Sequence, residues 1–523
     1  MGHFNLDIQF HRLLALRCEE LRRIGMKWRD VMRYTILSCL YDYRLVVLYA
    51  ICVLLMGLAA PHSVTDLRQA KVHYEKLHAV AREMANLETV AVLKRPSPLA
   101  FLAEGQSKNL PAYLLVSASF VDYPLADVSK RPLLAGRPSL DWASVIGYLF
   151  SLVALLMSFD AVAGERERGT LRLIFSHHVS RATVLVGKWS GIMMVLVPVF
   201  LLSAIINLLI IATSGVINLT AEIMTVTGWV VGLTIIFLGA HVTIGLLASS
   251  LTPRASTALV ICLLFWIIEV VLVPSGATLI GQLLAPVPDT TTYQMQLRSA
   301  QQRYDVNRPE ISSLMIDEIL DRPDLSDREK EEQLNKLQQT ITRQQRQAYA
   351  AFHRELIRVR EEYIHRLIRQ LYMIEVLSAL SPVSLYQSLL SSLAGTDFRN
   401  HELFYRAANQ YRQIFARWVE RMKRAIGSER TIKVKRVSMQ EFDRAVSELG
   451  EVGIYERGYM LIIPRLSYKD VPIDKSTLPQ FDYEGVSLND KLHLILWRAA
   501  ALVVLTIMTF VMAWIAFIRY RVA

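Results

Sequence analysis

Asp160-Ala-Val-Ala-Gly-Glu-Arg-Glu-Arg-Gly-Thr-Leu-Arg-Leu-Ile-Phe-Ser-His-His-Val-Ser-Arg181 lies between two apolar runs, residues 142–159 and 189–211. Each run has about the length that crosses a bilayer, roughly 20 apolar residues. A dense patch of both charge signs cannot sit in hydrocarbon. The stretch therefore forms a short loop at one membrane face, where it can receive a signal or a force from a partner. That favours a transporter subunit over a soluble enzyme.

The rest of the chain agrees. Of 523 residues, 53% are hydrophobic and 20% are charged. Long apolar runs indicate an integral membrane protein, with the charge confined to the segments between them. Six runs qualify as spans: residues 45–60, 142–159, 189–211, 223–248, 255–273 (extendable to 280) and 492–518. The fold class expected is mainly α, a polytopic membrane protein of six transmembrane helices with a mostly helical extracytoplasmic domain. The net charge of +11 reflects Lys and Arg at span ends rather than nucleic acid binding, for which no signature is present. Four cysteines, Cys18, Cys39, Cys52 and Cys262, supply no disulfide framework and no metal-ligand spacing. The first forty residues lack an early apolar core, so no cleavable signal peptide is expected.

Orientation follows from the short loops. Lys and Arg crowd the N-terminal tail, the loop between the second and third spans (Arg166, Arg168, Arg172, Arg181, Lys188), the turn at Arg254 and the C-terminal tail at Arg519 and Arg521. With six spans all of these share one side, whereas residues 214–222 opposite hold no Lys or Arg. The positive-inside rule then places both termini in the cytoplasm. The expected layout is a cytoplasmic amphipathic segment 1–44, a first span 45–60, an extracytoplasmic segment 61–141, four spans within 142–280 interrupted by the loop 160–188, a large extracytoplasmic domain 281–491, a last span 492–518 and a tail 519–523.

Within these segments the first 33 residues pattern as an amphipathic helix, suited to the headgroup layer or to packing on the bundle or a partner. A helix is expected over 64–93, and long helices within 294–377, broken near Asn307-Arg308-Pro309 and Asp321-Arg322-Pro323-Asp324. A further helix is expected over 400–426. Residues 431–437 and 459–463 alternate, as a small strand pair would. The simplest architecture packs both long loops into one domain.

Chemistry is conspicuous by its pattern of gaps. The lysine of Gly187-Lys188 is followed by Trp189, not Ser or Thr, and Ala182 stands where a phosphate loop needs its first glycine. No catalytic constellation is found and no metal site is expected, since His177 and His178 are adjacent and lack companion ligands. His241 in the fourth span and Glu269 in the fifth are candidate intramembrane polar sites. They mark either a substrate or ion path, or a helix contact for His241 and an interfacial position for Glu269. Pro198 and the pair Gly228, Gly232 are expected to serve kinking and close helix packing.

With six spans, no nucleotide site and this loop, the chain resembles the membrane subunit of ABC-2-type ABC transporters. The residues carrying the resemblance are Asp160, Glu165, Glu167, Gly169, Thr170, Leu171, Ser176, Arg181, Gly187 and Lys188, with His178 where the family usually has proline. The stretch 238–258 is similar to the family's fourth-span ending. Leu380-Ser-Pro-Val-Ser-Leu-Tyr386 and Leu393-Ala-Gly-Thr-Asp397 look like a subgroup with a large insertion before the last span, the DUF3526-like permeases. The resemblance implies a permease of a bacterial inner-membrane exporter, not itself an enzyme. It implies two copies of an ATP-binding subunit as partners, carrying ATP and Mg, and a second permease as homodimer or heterodimer. This chain would bind no cofactor. Coupling to the ATPase would fall to Glu165, Arg166, Glu167, Arg168, Gly169, Thr170, Leu171, Arg172 and Arg181, around a coupling helix near 171–176. Gly169 would permit the turn, Thr170 would cap that helix and Ser180 would cap the next. The rival reading is a mechanotransmission subunit, in which the same loop drives the extracytoplasmic domain and no substrate crosses.

Overall fold

A computed structural model describes residues 28–107, 110–122, 140–176, 179–426, 435–436, 438–440, 443, 452–456, 459–463, 474–483 and 485–519. The amphipathic pattern of residues 1–27, the His177-His178 pair and most of 431–437 lie outside them. The chain is a mainly α polytopic membrane protein, and among the described residues six helices are long and apolar enough to cross a bilayer.

Helix α1, Trp28–Tyr41, buries Val31, Thr35 and Cys39. Helix α2, Tyr43–Met84, does not stop where its apolar run ends. It continues through Pro61, so one rod of about 63 Å forms both a span and a stalk. Asn86 ends it: its side-chain oxygen accepts from the Glu88 and Thr89 amides, each at 2.9 Å. The helix expected over 64–93 is thus corrected at its end. Thr89–Leu93 is strand β1, paired antiparallel to β2, Tyr113–Ser117, which pairs in turn with β3, Val121–Asp122. Val90 and Val92 alternate inward, a period-two pattern that the preceding helical run obscures.

The chain returns to the membrane as α3, Trp142–Glu167, with a π-helical turn at Val145–Phe150. Fully buried Trp142 donates to Asn207 at 2.9 Å, and Asn207 donates to the Met56 carbonyl at 2.7 Å. A short helix α4, Thr170–Phe175, leads to α5, Arg181–Thr213, then α6, Ala221–Leu251, and α7, Ala255–Leu284, with a second π-helical turn at Ile268–Leu272. Helix α6 is the centre of the bundle, packing on α3 and α5. Its hydroxyls at Thr227, Thr234 and Ser250 bond carbonyls one turn back, within the helix itself.

Close packing falls on glycines other than those expected. A Cβ at Gly228 or Gly232 would meet nothing within 4 Å, so neither mediates a contact within this chain. Instead Gly187 and Gly191 of α5 let α1 approach: a Cβ there would lie 2.7 Å from Val31 and Thr35, respectively. Pro198 sits inside α5, which runs unbroken past it.

The domain beyond the bundle comprises α8, Thr290–Asn307; α9, Ser313–Leu320; α10, Asp327–Ser378, begun by a Ser326–Glu329 capping box; α11, Pro382–Ala394; and α12, Phe398–Ile426. Strands β4, Lys435–Arg436, β5, Val452–Glu456, and β6, Tyr459–Ile463, form a sheet in the order β4-β6-β5. The last span is α13, Leu488–Arg519, which packs along α6 and α11. Leu87, Val92, Leu114 and Val116 from the first long loop share one core with Tyr363, Phe404, Phe415 and Trp418 from the second. Helix α11 seats this domain on the bundle. Its Tyr386 stacks on Phe237 at 4.2 Å, and the Tyr386 and Thr234 hydroxyls bond at 2.7 Å.

Candidate functional site: the charged loop and its anchors

The charged stretch that ends α3 and follows it is built around three helix ends. Val162 and Ala163 amides both donate to the buried Ser249 hydroxyl of α6 at 2.9 Å, fixing the turn that precedes Glu165. Glu165 is 3% exposed and pairs at 2.6 Å with Lys188, whose ammonium also donates to the Ala161 carbonyl at 2.6 Å. Arg166 donates to the Thr252 carbonyl at 2.7 Å and the Ser250 carbonyl at 3.4 Å, supplying positive charge at the C-terminal end of α6. Glu167 accepts from the Ala255 amide at 3.1 Å, supplying negative charge at the N-terminal end of α7. Arg181 donates to Phe517 and Ile518 carbonyls, at 3.0 and 2.5 Å, and so closes the end of α13. Its guanidinium lies 5.7 Å from the Phe175 ring, which is itself 6.0 Å from Phe517.

Gly169 turns the chain. Its φ of +73° is left-handed, its amide bonds the Arg166 carbonyl at 3.1 Å, and it stands as the residue before α4. Thr170 does not cap α4. It is the first helical residue, and its hydroxyl donates back to the Glu165 carbonyl at 3.2 Å. Ser180 does cap α5, accepting from the Thr183 amide at 3.1 Å. On α4, Leu171 is buried at 2% exposure while Leu173 is 51% exposed, beside exposed Arg172 and Ser176. Arg168 and Gly169 are exposed as well. The nine loop residues thus divide. Glu165, Arg166, Glu167, Thr170 and Arg181 bond residues named above, Gly169 makes the turn, Leu171 is core, and Arg168 and Arg172 are exposed together with Leu173, which sequence reasoning left out.

His241 and Glu269 meet. His241 Nε2 lies 3.1 and 3.3 Å from the two carboxylate oxygens, and Nδ1 lies 2.9 Å from the Phe237 carbonyl. A carbonyl only accepts, so Nδ1 carries a proton. The Nε2–carboxylate contact then also holds one, on either partner, and the pair is net neutral in both arrangements. Both side chains are at most 2% exposed. Glu269 is therefore not an interfacial residue, and His241 contacts a neighbouring span, α7. The Glu269 carbonyl, freed within the π-helical turn, accepts from Ser381 at 2.7 Å, tying α7 to α11.

A third polar joint escaped sequence reading. Arg498 of α13, 1% exposed, pairs with Glu375 near the end of α10 and donates to Ser392 of α11 at 2.6 Å. A lone cation inside the last apolar run was itself the available signal. Among the described residues, no group of three or more His, Cys, Asp or Glu side chains could hold a metal.

The chain as a whole is similar to known proteins. The sequence model of the family described as "ABC-2 family transporter protein" matches residues 36–521. The "Probable ABC transporter permease protein NosY" of Stutzerimonas stutzeri is 43% identical over 49 residues, 9% of this chain and 18% of that protein. Its namesake in Pseudomonas aeruginosa is 42% identical over 48 residues, again 9% and 18%. The matched stretch thus spans about a fifth of the length of these curated relatives.

Proposed function

We propose that this chain, which belongs to the ABC-2 transporter family, exports a substrate across a bacterial inner membrane on motion delivered to its charged loop by a separate ATPase. The family makes it a membrane permease subunit that associates with an ATP-binding subunit. ATP and Mg would stay on that partner, present in two copies, and a second permease, identical or related, would complete the pathway. The lysines and arginines at the loop end of the bundle, and their absence from residues 214–222, support placing both termini in the cytoplasm.

One observation carries the coupling assignment: Leu173, Arg172 and Arg168 are exposed on a loop whose other charges hold the ends of α6, α7 and α13. An apolar side chain flanked by two guanidinium groups is suited to a pocket with an acidic rim. A push on α4 would reach three spans at once through hydrogen bonds rather than flexible linker, as rigid-body rocking requires. Leu173→Asp should leave the chain folded and monodisperse but abolish both co-purification with its ATPase and stimulation of ATP hydrolysis. Undiminished stimulation would sink the assignment of α4 as the contact.

The mechanotransmission reading gains support from the joint at Arg498. Glu375 of α10 and Ser392 of α11 converge on this one side chain of α13, so movement of the last span would be passed directly to the domain. Deleting residues 294–377 discriminates: export that survives the deletion argues against mechanotransmission.

A further inference from the structure

A cavity of about 210 Å³ lies between the stalk half of α2, the β1–β2 hairpin and the α11–α12 turn. Its walls are carbon-rich, including Leu67, Leu77, Leu93, Leu110, Pro111 and Leu140. Many of its polar side chains are already committed. Asp141 accepts from the Ser144 and Glu104 amides, Ser97 donates to the Ala394 carbonyl and Thr396 to the Ala103 carbonyl. A sugar or nucleotide, which needs many donors and acceptors, would find few.

Lys94 is the exception. Its ammonium lies within the cavity wall and meets the Gly395 carbonyl at 3.5 Å, the outer limit of a hydrogen bond. Burial pushes it down to about 8, and the charge of Asp397 only partly offsets this. His401, also in the wall, is held neutral by the same burial and by Lys94's own charge. The wall also holds Arg95, Asp66, Glu104 and Asp141. Arg95 pairs with Asp482 at 3.3 Å, Asp66 with His62 at 3.5 Å, and Asp141 with two amides. Lys94 has no ion pair among the described residues, and its walls are mostly carbon. Position adds a second argument. His62, at the cavity's edge, is two residues beyond Ala60, where the apolar run of α2 ends. With the end of that apolar run taken as the edge of the bilayer, the cavity lies just beyond the membrane half of α2.

We propose that this cavity binds a single-chain amphiphile with an anionic head, its carboxylate or phosphate on Lys94 and its chain along the leucine walls. A water needs about 10–15 Å³ of such volume, so the space takes about fourteen to twenty water-sized groups, enough for a chain of about ten to fifteen carbons with its head group. A molecule of this class partitions into the adjoining leaflet and needs to move only a short way to enter.

The test uses the full chain in nanodiscs, with empty nanodiscs as the partition control and dansyl-undecanoic acid as the probe. Saturable binding is expected, displaced by lauric acid but at least tenfold less well by dodecanol, and unaffected by millimolar inorganic phosphate. Lys94→Met should weaken binding tenfold or more and Lys94→Arg should retain it. Leu77→Trp, on the half-buried stalk face, should abolish it by filling the chamber. Absence of saturable binding overturns the proposal, as does Lys94→Met binding like the parent in a monodisperse chain. Equal competition by dodecanol would reduce the site to an apolar cavity, and equal competition by phosphate to a small-anion site; either outcome overturns it.

Discussion

Replacing Lys188 with Met asks whether the charged loop is held from inside. The two side chains of the Glu165–Lys188 pair are 5% and 3% exposed and 2.6 Å apart. Taking one partner from a buried pair costs about 3–5 kcal/mol, because the remaining charge keeps its desolvation cost without its counter-ion. Glu165 has no reserve: its second carboxylate oxygen has no hydrogen-bond partner among the described residues. Lys188→Met should therefore destabilise by about 3–5 kcal/mol. Glu165→Leu alone should cost less, since the ammonium keeps the Ala161 carbonyl and the nearby charge of Asp160. The double variant removes both charges at nearly constant volume and should return to within about 1–2 kcal/mol of the parent, a coupling of several kcal/mol. Unfolding in mixed micelles, followed by tryptophan fluorescence, measures all four corners of the cycle. The reasoning fails if Lys188→Met lies within about 1 kcal/mol of the parent, or if the double variant is as unstable as the two singles combined.

Three other outcomes follow from the same coordinates. Gly169→Ala should cost about 1–2 kcal/mol by the same assay, from backbone strain at φ +73° alone, since a Cβ there meets nothing within 4 Å; Gly169→Asn should cost less, and a neutral alanine would show that the turn is not left-handed. Gly191→Ala should destabilise by about 1–3 kcal/mol by the same assay through collision with the Thr35 Cβ and the Met32 carbonyl of α1, atoms that truncating Thr35 to Ala would not remove, and a neutral Gly191→Ala would separate α1 from α5. His401, 2% exposed, is pushed down to about 3 by burial, with Lys94's charge adding to the effect. It stays neutral when folded but gains a proton below about 6.5 when unfolded, so its contribution is present above that pH and is lost as pH falls towards 3. The cost at pH 5 is about 2 kcal/mol. His401→Gln should flatten that slope between pH 7 and pH 5, and an unchanged slope would assign the acid sensitivity elsewhere.

The spans were legible because a bilayer demands unbroken apolar length, and the chain writes that demand locally. The loop was legible as a place, since charge of both signs between two spans has nowhere else to go. Its division of labour was not. Arg166 serves carbonyls at Ser250 and Thr252, and Glu167 serves the Ala255 amide, partners more than eighty residues distant that leave no local trace. His241 and Glu269 were each visible as ionisable groups in apolar runs, yet their pairing depends on which faces of α6 and α7 meet. Gly228 and Gly232 misled for the same reason: a small residue every fourth position shows that a close approach is permitted, not which face receives one. The β1 strand was hidden by the helix that runs into it, although Thr89-Val-Ala-Val-Leu93 carried its own alternation.

The continuity of α2 past Pro61 has a mechanical meaning. Residues 61–84 extend the rod about 36 Å beyond its membrane half, with no break in the helix between them. A tilt of about 5° within the bundle would then sweep the far end, where β1 begins, through about 3 Å. The rod is a lever arm, and its fulcrum lies in the membrane. Small angular displacements among the spans emerge as linear travel at the foot of the domain, on the scale of a side chain.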